Sequence, residues 1–218
     1  MSTLLREAPT TFLLNTGAYL WGGGGTPDTT KPPDRFAPIP GYDNYRGGAI
    51  FAFDQLKLLR DTYGTRTVIN LAREANDHVF DSERQCGGRN NQCEGIWAEE
   101  LGMEYLYVPM TSSWRMSAEK WHLIRNALAD GNVYIHCQAG VDRTGAVVAR
   151  WRRETEPNLT HEAVMAYTRT FGGAWRREGD PNRRLRDWVA QAQYDPELVE
   201  RAFRSRFGLG AGAGIAAL

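Results

Sequence analysis

From Asp43 onward, short β-branched and apolar runs alternate with longer segments whose apolar residues recur every three or four positions. That alternation confines the chain to a parallel sheet covered by helices, because successive parallel strands need a crossover element between them. Residues 67–71, 105–108 and 133–136 read as buried strands, with a further short strand near 49–51. Helices are expected at 53–63, 93–101, 117–129, 144–154, 160–170, 182–193 and 196–207, with Ser117 and Thr160 as N-caps and Asp195-Pro196 as a cap followed by a first-turn proline. The expected fold class is therefore α/β: a largely parallel four- or five-stranded sheet with helices on both faces. Gly22 to Gly25, followed by Pro27, Pro32, Pro33, Pro38 and Pro40, resists both helix and central strand. Residues 1–42 are accordingly expected as an irregular Gly/Pro-rich arm, 43–207 as one domain, and the Gly/Ala-rich 208–218 as a frayed tail.

Charge excludes whole classes of partner. The chain carries 26 basic and 26 acidic residues, so no overall field draws it to nucleic acid or to an anionic membrane, and any anion site must be local. Only Lys31, Lys57 and Lys120 among the basic residues are lysine. No apolar run approaches the roughly 20 residues needed to span a bilayer, and residues 1–15 lack the pattern of a secretory signal. Three cysteines are an odd number and too few for a disulfide framework, which fits a reducing, cytoplasmic setting where a thiol can do chemistry.

That chemistry points to one segment, His136-Cys137-Gln138-Ala139-Gly140-Val141-Asp142-Arg143-Thr144-Gly145, lying between an expected strand and an expected helix. A five-residue loop between cysteine and arginine can curl so that successive backbone N–H groups point inward, forming a nest for a tetrahedral dianion at a helix N-terminus. Gly140 permits the unusual backbone angles this requires. Arg143 can fork two hydrogen bonds onto phosphate oxygens, a geometry lysine cannot reproduce. The same N–H dipoles and guanidinium lower the pKa of Cys137, making its thiolate the attacking species near neutral pH without a metal or other cofactor. Thr144 can donate its hydroxyl to the sulfur and so improve the thiolate as a leaving group. A lone cysteine at a strand end is more often an inert core residue. A positive charge at a helix N-terminus, however, is unfavourable unless an anion offsets it, and Arg143 sits at such a terminus.

At these residues the chain resembles the protein tyrosine phosphatase superfamily, and within it the compact dual-specificity branch with bacterial and archaeal members. The shared signature is His-Cys-x5-Arg-Thr-Gly, and Asn44-Tyr45-Arg46-Gly47-Gly48 and Thr67-Val68-Ile69-Asn70-Leu71 are similar to strands of that branch. The likeness covers roughly residues 44–175. It implies hydrolysis of phosphate monoesters, phosphotyrosine foremost and phosphoserine or phosphothreonine besides, through a phospho-cysteine. It implies Cys137 as nucleophile, Arg143 as phosphate clamp, Thr144 as assistant in hydrolysis, and Gln138, Ala139, Gly140, Val141 and Asp142 with Arg143 as the phosphate cradle. His136 would tune the thiolate from outside the pocket. The expected partner is a phosphorylated protein or small phosphate ester.

One departure stands out. Phosphatases of this type commonly protonate the leaving oxygen with an aspartate on the loop after the strand preceding the nucleophile strand. Here that loop, residues 109–117, contains no carboxylate. Asp142, inside the phosphate loop, is one candidate acid; Asp77 or Glu74, directly after the 67–71 strand, is the other, with water or substrate as a third source. Trp114 and Arg115 sit where an acid loop would cover the pocket, able to meet a phosphorylated ring and a second acidic group or simply to pack on the domain. Cys86 and Cys93 lack the spacing of a zinc site and read as two separate thiols, a bridge, or a resolving partner for oxidised Cys137. Two other functions remain open: an inositol phosphate or phosphoinositide phosphatase, disfavoured by the lack of positive charge at positions 138–142, and a phosphate-binding pseudophosphatase, which would not need Cys137.

Overall fold

The computed structural model describes residues 28–72, 90–110, 116–172 and 183–207, without the side chains of 90–93 and 183. Five strands, β1 (Ala37–Pro38), β2 (Tyr45–Gly47), β3 (Thr67–Asn70), β4 (Glu104–Tyr107) and β5 (Val133–His136), form one sheet in the order β1-β2-β5-β3-β4. Only the β1–β2 pair is antiparallel. In the parallel part, β5 lies centrally, with Tyr45 opposite Tyr134 on one side and Val68 opposite Tyr134 on the other. The seven helices among the described residues are α1 (Phe53–Tyr63), α2 (Asn90–Glu100), α3 (Ala118–Asp130), α4 (Asp142–Thr155), α5 (His161–Thr170), α6 (Arg183–Ala190) and α7 (Pro196–Arg206).

Strand alternation explains the layering. Val68 and Tyr134 face one side of the sheet and pack with Leu56 and Leu59 of α1 and Ala98 of α2. Ile69, Val133 and Ile135 face the other side, where Trp121, Ile124 and Leu128 of α3, Val147 and Trp151 of α4, Val164 of α5, Leu185 of α6 and Leu198 of α7 enclose them. Each such aliphatic side chain contributes about 1.5–3 kcal/mol on full burial, so both faces must be covered. The result is the α/β sandwich expected from the alternation: five strands, largely parallel, with helices on both faces.

Capping follows the sequence closely. Ser117 Oγ accepts from Lys120 N at 3.4 Å, Thr160 Oγ1 from Ala163 N at 3.1 Å, and Asp195 Oδ1 from Glu197 N at 3.1 Å. Helix α1 ends at Gly64, whose φ of 69° lets its N–H reach Arg60 O at 3.1 Å.

One expected strand is displaced. The run 49–51 is not paired; β2 occupies Tyr45–Gly47 instead. Ala49 and Ile50 are buried, but as a connection packed against α1 and the loop after β5, with Ala49 N bonded to Gln138 O at 3.0 Å. Their apolarity reflects burial of a turn, whereas the true strand carries a polar residue, Arg46, turned into the interior. Register here is pinned by Asn44, fully buried, which donates to Leu128 O at 2.8 Å and accepts from Val133 N at 3.0 Å, tying the start of β5 to the end of α3.

Candidate active site

Residues 137–141 run from the C-terminal end of β5 to the first turn of α4. The backbone carbonyls of this loop are held from behind by residues far away in sequence. Gln138 O accepts from Ala49 N at 3.0 Å, Ala139 O from Arg35 Nη1 at 2.9 Å, and Gly140 O from Arg46 Nη2. A trans peptide places the next N–H opposite its carbonyl. Three outward carbonyls therefore turn the N–H groups of Ala139, Gly140 and Val141 to the concave side, which is the nest required to bind a dianion.

Gly140 is indispensable to this packing. Its φ is +67°, and a Cβ there would stand 2.4 Å from the carbonyl carbon of Gly47 and 2.6 Å from Gly48 N. The loop and the end of β2 thus touch backbone to backbone.

Within the nest lies Cys137, 2% exposed. Burial pushes its thiol up, but the Arg143 guanidinium, the Thr144 hydroxyl and the backbone N–H groups of Thr144 and Gly140 outweigh that and hold it below its ordinary value. The Thr144 hydroxyl is buried and makes no fully formed hydrogen bond among the described residues, which leaves it directed to the sulfur. Asp142 and Arg143 are half-buried in the first turn of α4. Helix α4 can seat closely beneath the loop because Gly145, Ala146, Val147, Val148 and Ala149 are small and fully buried.

Two supporting residues carried no signal of their role in the sequence. Arg46 is completely buried, its guanidinium stacked 3.8 Å above the centre of the Phe171 ring. Burial lowers its pKa, while Tyr167 and then Cys137 oppose that fall. Glu94 of α2 is also buried, with Oε1 2.6 Å from His136 Nε2 and Oε2 accepting from Asn70 Nδ2 at 2.9 Å. His136 Nδ1 lies 3.2 Å from Cys137 O, so the Cys137 peptide is tied to a buried carboxylate through one imidazole.

This pair makes a pH signature. Burial pushes His136 down, but the charge and hydrogen bond of Glu94, with the Cys137 peptide and sulfur, outweigh it and raise the imidazole above its ordinary value. A raised folded pKa means that the stabilisation is complete below the unfolded value of about 6.5 and is lost as pH rises through the folded one. Measured in Cys137→Ser, to remove the opposing thiol titration, urea unfolding should therefore show stability falling from pH 5.5 to pH 8.5. Adding Glu94→Gln should flatten that slope and cost about 2 kcal/mol at the lower pH, since a charge-assisted bond is lost. An unchanged slope would remove Glu94 as the partner that holds the imidazolium.

Of the other residues singled out in the sequence, Glu74, Asp77, Trp114, Arg115 and Cys86 lie outside the described residues, as does the side chain of Cys93. Among the described residues no group of three or more His, Cys, Asp or Glu could hold a metal ion, and no helix is long and apolar enough to cross a membrane.

Comparison with known proteins places this geometry. The core catalytic domain of the PP-IP phosphatase Siw14 from S. cerevisiae matches with a TM-score of 0.55 at 16% identity, covering 83% of this chain and 96% of that one. A putative phosphatase from Shewanella putrefaciens matches at 0.55 and 18% identity, covering 77% and 96%. Tk-PTP in its active form matches at 0.50 and 20% identity, covering 72% and 97%. These similarities show the fold. No curated protein matches the chain. The family model described as a DSP-PTPase phosphatase fused to NAD+ kinase matches residues 42–176, more than half of the chain. The strand, loop and helix that build the nest fall inside that match, and the chain belongs to this family of dual-specificity-type cysteine phosphatases.

Proposed function

We propose that Cys137 is the nucleophile of phosphate monoester hydrolysis. One observation carries this reading: a buried thiol whose pKa lies below its ordinary value, at the centre of inward-facing N–H groups and beside Arg143. The thiolate attacks phosphorus, the P–O bond to the leaving group breaks, and that oxygen takes a proton. Arg143 and the N–H groups of Ala139, Gly140 and Val141 hold the equatorial oxygens as charge develops on them. Water then attacks the phospho-cysteine and returns the thiolate, which the Thr144 hydroxyl stabilises. His136 acts from outside the pocket, and Gln138 and Asp142 complete the cradle.

The substrates in this reading are phosphorylated proteins, phosphotyrosine first and phosphoserine or phosphothreonine next, or small phosphate esters, met in a reducing cytoplasmic compartment. The test is phosphate release from a panel of phosphotyrosine peptide, phosphoserine peptide, phosphoinositide and inositol phosphate. Absence of release from all four would overturn it.

The acid is assigned to Asp142 or to Asp77 by leaving-group dependence. If Asp142 protonates the leaving oxygen, Asp142→Asn should cost little with 4-nitrophenyl phosphate, whose phenolate departs as an anion, and about 10²-fold or more with an alkyl phosphate. It should also flatten the basic limb of the pH–rate profile, while Asp77→Asn and Glu74→Gln leave it intact. A loss in Asp142→Asn that is equal for both esters, with a selective loss in Asp77→Asn, moves the acid to Asp77 and makes Asp142 an acceptor that orders the loop.

A further inference from the structure

The loop supplies no positive charge besides Arg143: positions 138–142 are Gln, Ala, Gly, Val and Asp. A second cation reaches the rim from the opposite end of the sequence. Arg35 has φ +56°, in the left-handed region that a bulky residue seldom occupies. Its neighbours fix it there. Asp34 O accepts from Gly48 N at 2.7 Å, Phe36 N donates to Pro33 O at 3.2 Å, and the Phe36 ring stacks on Tyr45 with centroids 5.1 Å apart. A conformation this unfavourable, held by packing on each side, is characteristic of a residue whose direction matters.

Arg35 points its guanidinium at the phosphate loop, where Nη1 donates to the carbonyl of exposed Ala139. Among the described residues that is its only hydrogen bond, and it pairs with no described carboxylate, its neighbour Asp34 included. The Asp34 carboxyl is half-buried, and burial raises its pKa against the pull of Arg35. Among the described residues, Nε and Nη2 of Arg35 thus make no hydrogen bond at the lip of the nest. One peptide thickness separates Ala139 O from the N–H face, which puts the guanidinium about 8 Å from an oxygen of a bound phosphate. That is within about one Debye length at physiological salt, so the charge is felt across the pocket mouth.

We propose that Arg35 forms a second anion subsite at the rim of the phosphate loop and selects phosphate monoesters that carry a further phosphate or carboxylate beside the scissile one. The inference rests on the reading of the Cys137 loop as the site of hydrolysis. The guanidinium uses one nitrogen to stay in place and offers the others, a planar fork, to the second anion. The second anion belongs either to an acidic residue of a phosphopeptide or to a multiply phosphorylated small molecule.

The test compares kcat/KM across substrates in the full chain. The probes are 4-nitrophenyl phosphate, a phosphotyrosine peptide with flanking aspartates, the same peptide with asparagines, and inositol hexakisphosphate. In the wild type the doubly anionic substrates should be preferred, and the preference should fade at 0.5 M salt. Arg35→Met loses the tether as well as the charge, so all rates can fall. The preference itself should drop about tenfold, mainly through KM, and Arg35→Lys should regain part of it. A drop in the peptide arm or in the inositol arm supports the subsite and names the source of its ligand. An equal loss on every substrate, or a wild type without preference, overturns it and leaves Arg35 as a tether only. The ratio is also read without turnover, as binding of inositol hexakisphosphate against inorganic phosphate to Cys137→Ser with and without Arg35→Met. The subsite and the covalent mechanism can therefore fail separately.

Discussion

Cys137→Ser should lose turnover of an aryl phosphate by at least about four orders of magnitude, the scale on which losing the nucleophile of a concerted unit is felt. The environment that favours a thiolate here cannot ionise a serine hydroxyl, whose pKa starts far higher. Binding should survive. The inward N–H groups are oriented by Ala49, Arg35 and Arg46, none of which depends on the sulfur. Calorimetry with phosphate should thus return an affinity close to that of the wild type, while rapid quench of the wild type yields an acid-labile phospho-cysteine absent from the variant. Substantial turnover by Cys137→Ser, with no trapped intermediate in the wild type, would end the covalent mechanism.

Arg143→Lys should cost about 10²–10³-fold, chiefly in kcat, although it preserves the charge. A lysine ammonium can supply much of the Coulombic attraction that lowers the Cys137 pKa, so the acid limb of the pH–rate profile should move little. What it cannot supply is the bidentate fork on two phosphoryl oxygens. Arg46 offers no replacement, since it is buried behind the loop with its Nη2 committed to Gly140 O. In Arg143→Ala the limb should move as well: the folded thiol pKa rises, and the thiolate is lost as pH falls sooner than in the wild type. Near-normal kinetics in Arg143→Lys would mean that this side chain does not contact the transferred phosphoryl group.

The reach of the sequence can be followed residue by residue. The segment from His136 to Gly145 was legible because strand end, thiol, glycine, arginine and helix start are contiguous, and each constrains the next. Ser117, Thr160 and Asp195 were legible as caps for the same local reason. The frame that orients the nest was not. Arg35 lies 104 residues from the carbonyl it holds and Arg46 94 residues from its own, and nothing in a one-dimensional pattern reports such a pairing. Glu94 lies 42 residues before His136, and no local pattern reports that the fold brings the two together. The displaced strand has the converse cause: apolar residues at 49–51 signal burial, and burial alone does not distinguish a strand from a packed turn.

The distance between the loop and its anchors also bears on how the protein comes into being. Pairing β2 with β5 closes a segment of nearly ninety residues, Tyr45 to Tyr134, and contacts of such long range form late because chain closure must precede them. Until they form, nothing turns the loop carbonyls outward, and Cys137 keeps the weak acidity and low reactivity of an ordinary thiol. Vectorial synthesis suits this arrangement. Arg35, Arg46 and Ala49 leave the ribosome well before Cys137 does, so the anchors are waiting when the thiol emerges. The lowered thiol pKa therefore arises only in a chain whose sheet has closed around Cys137.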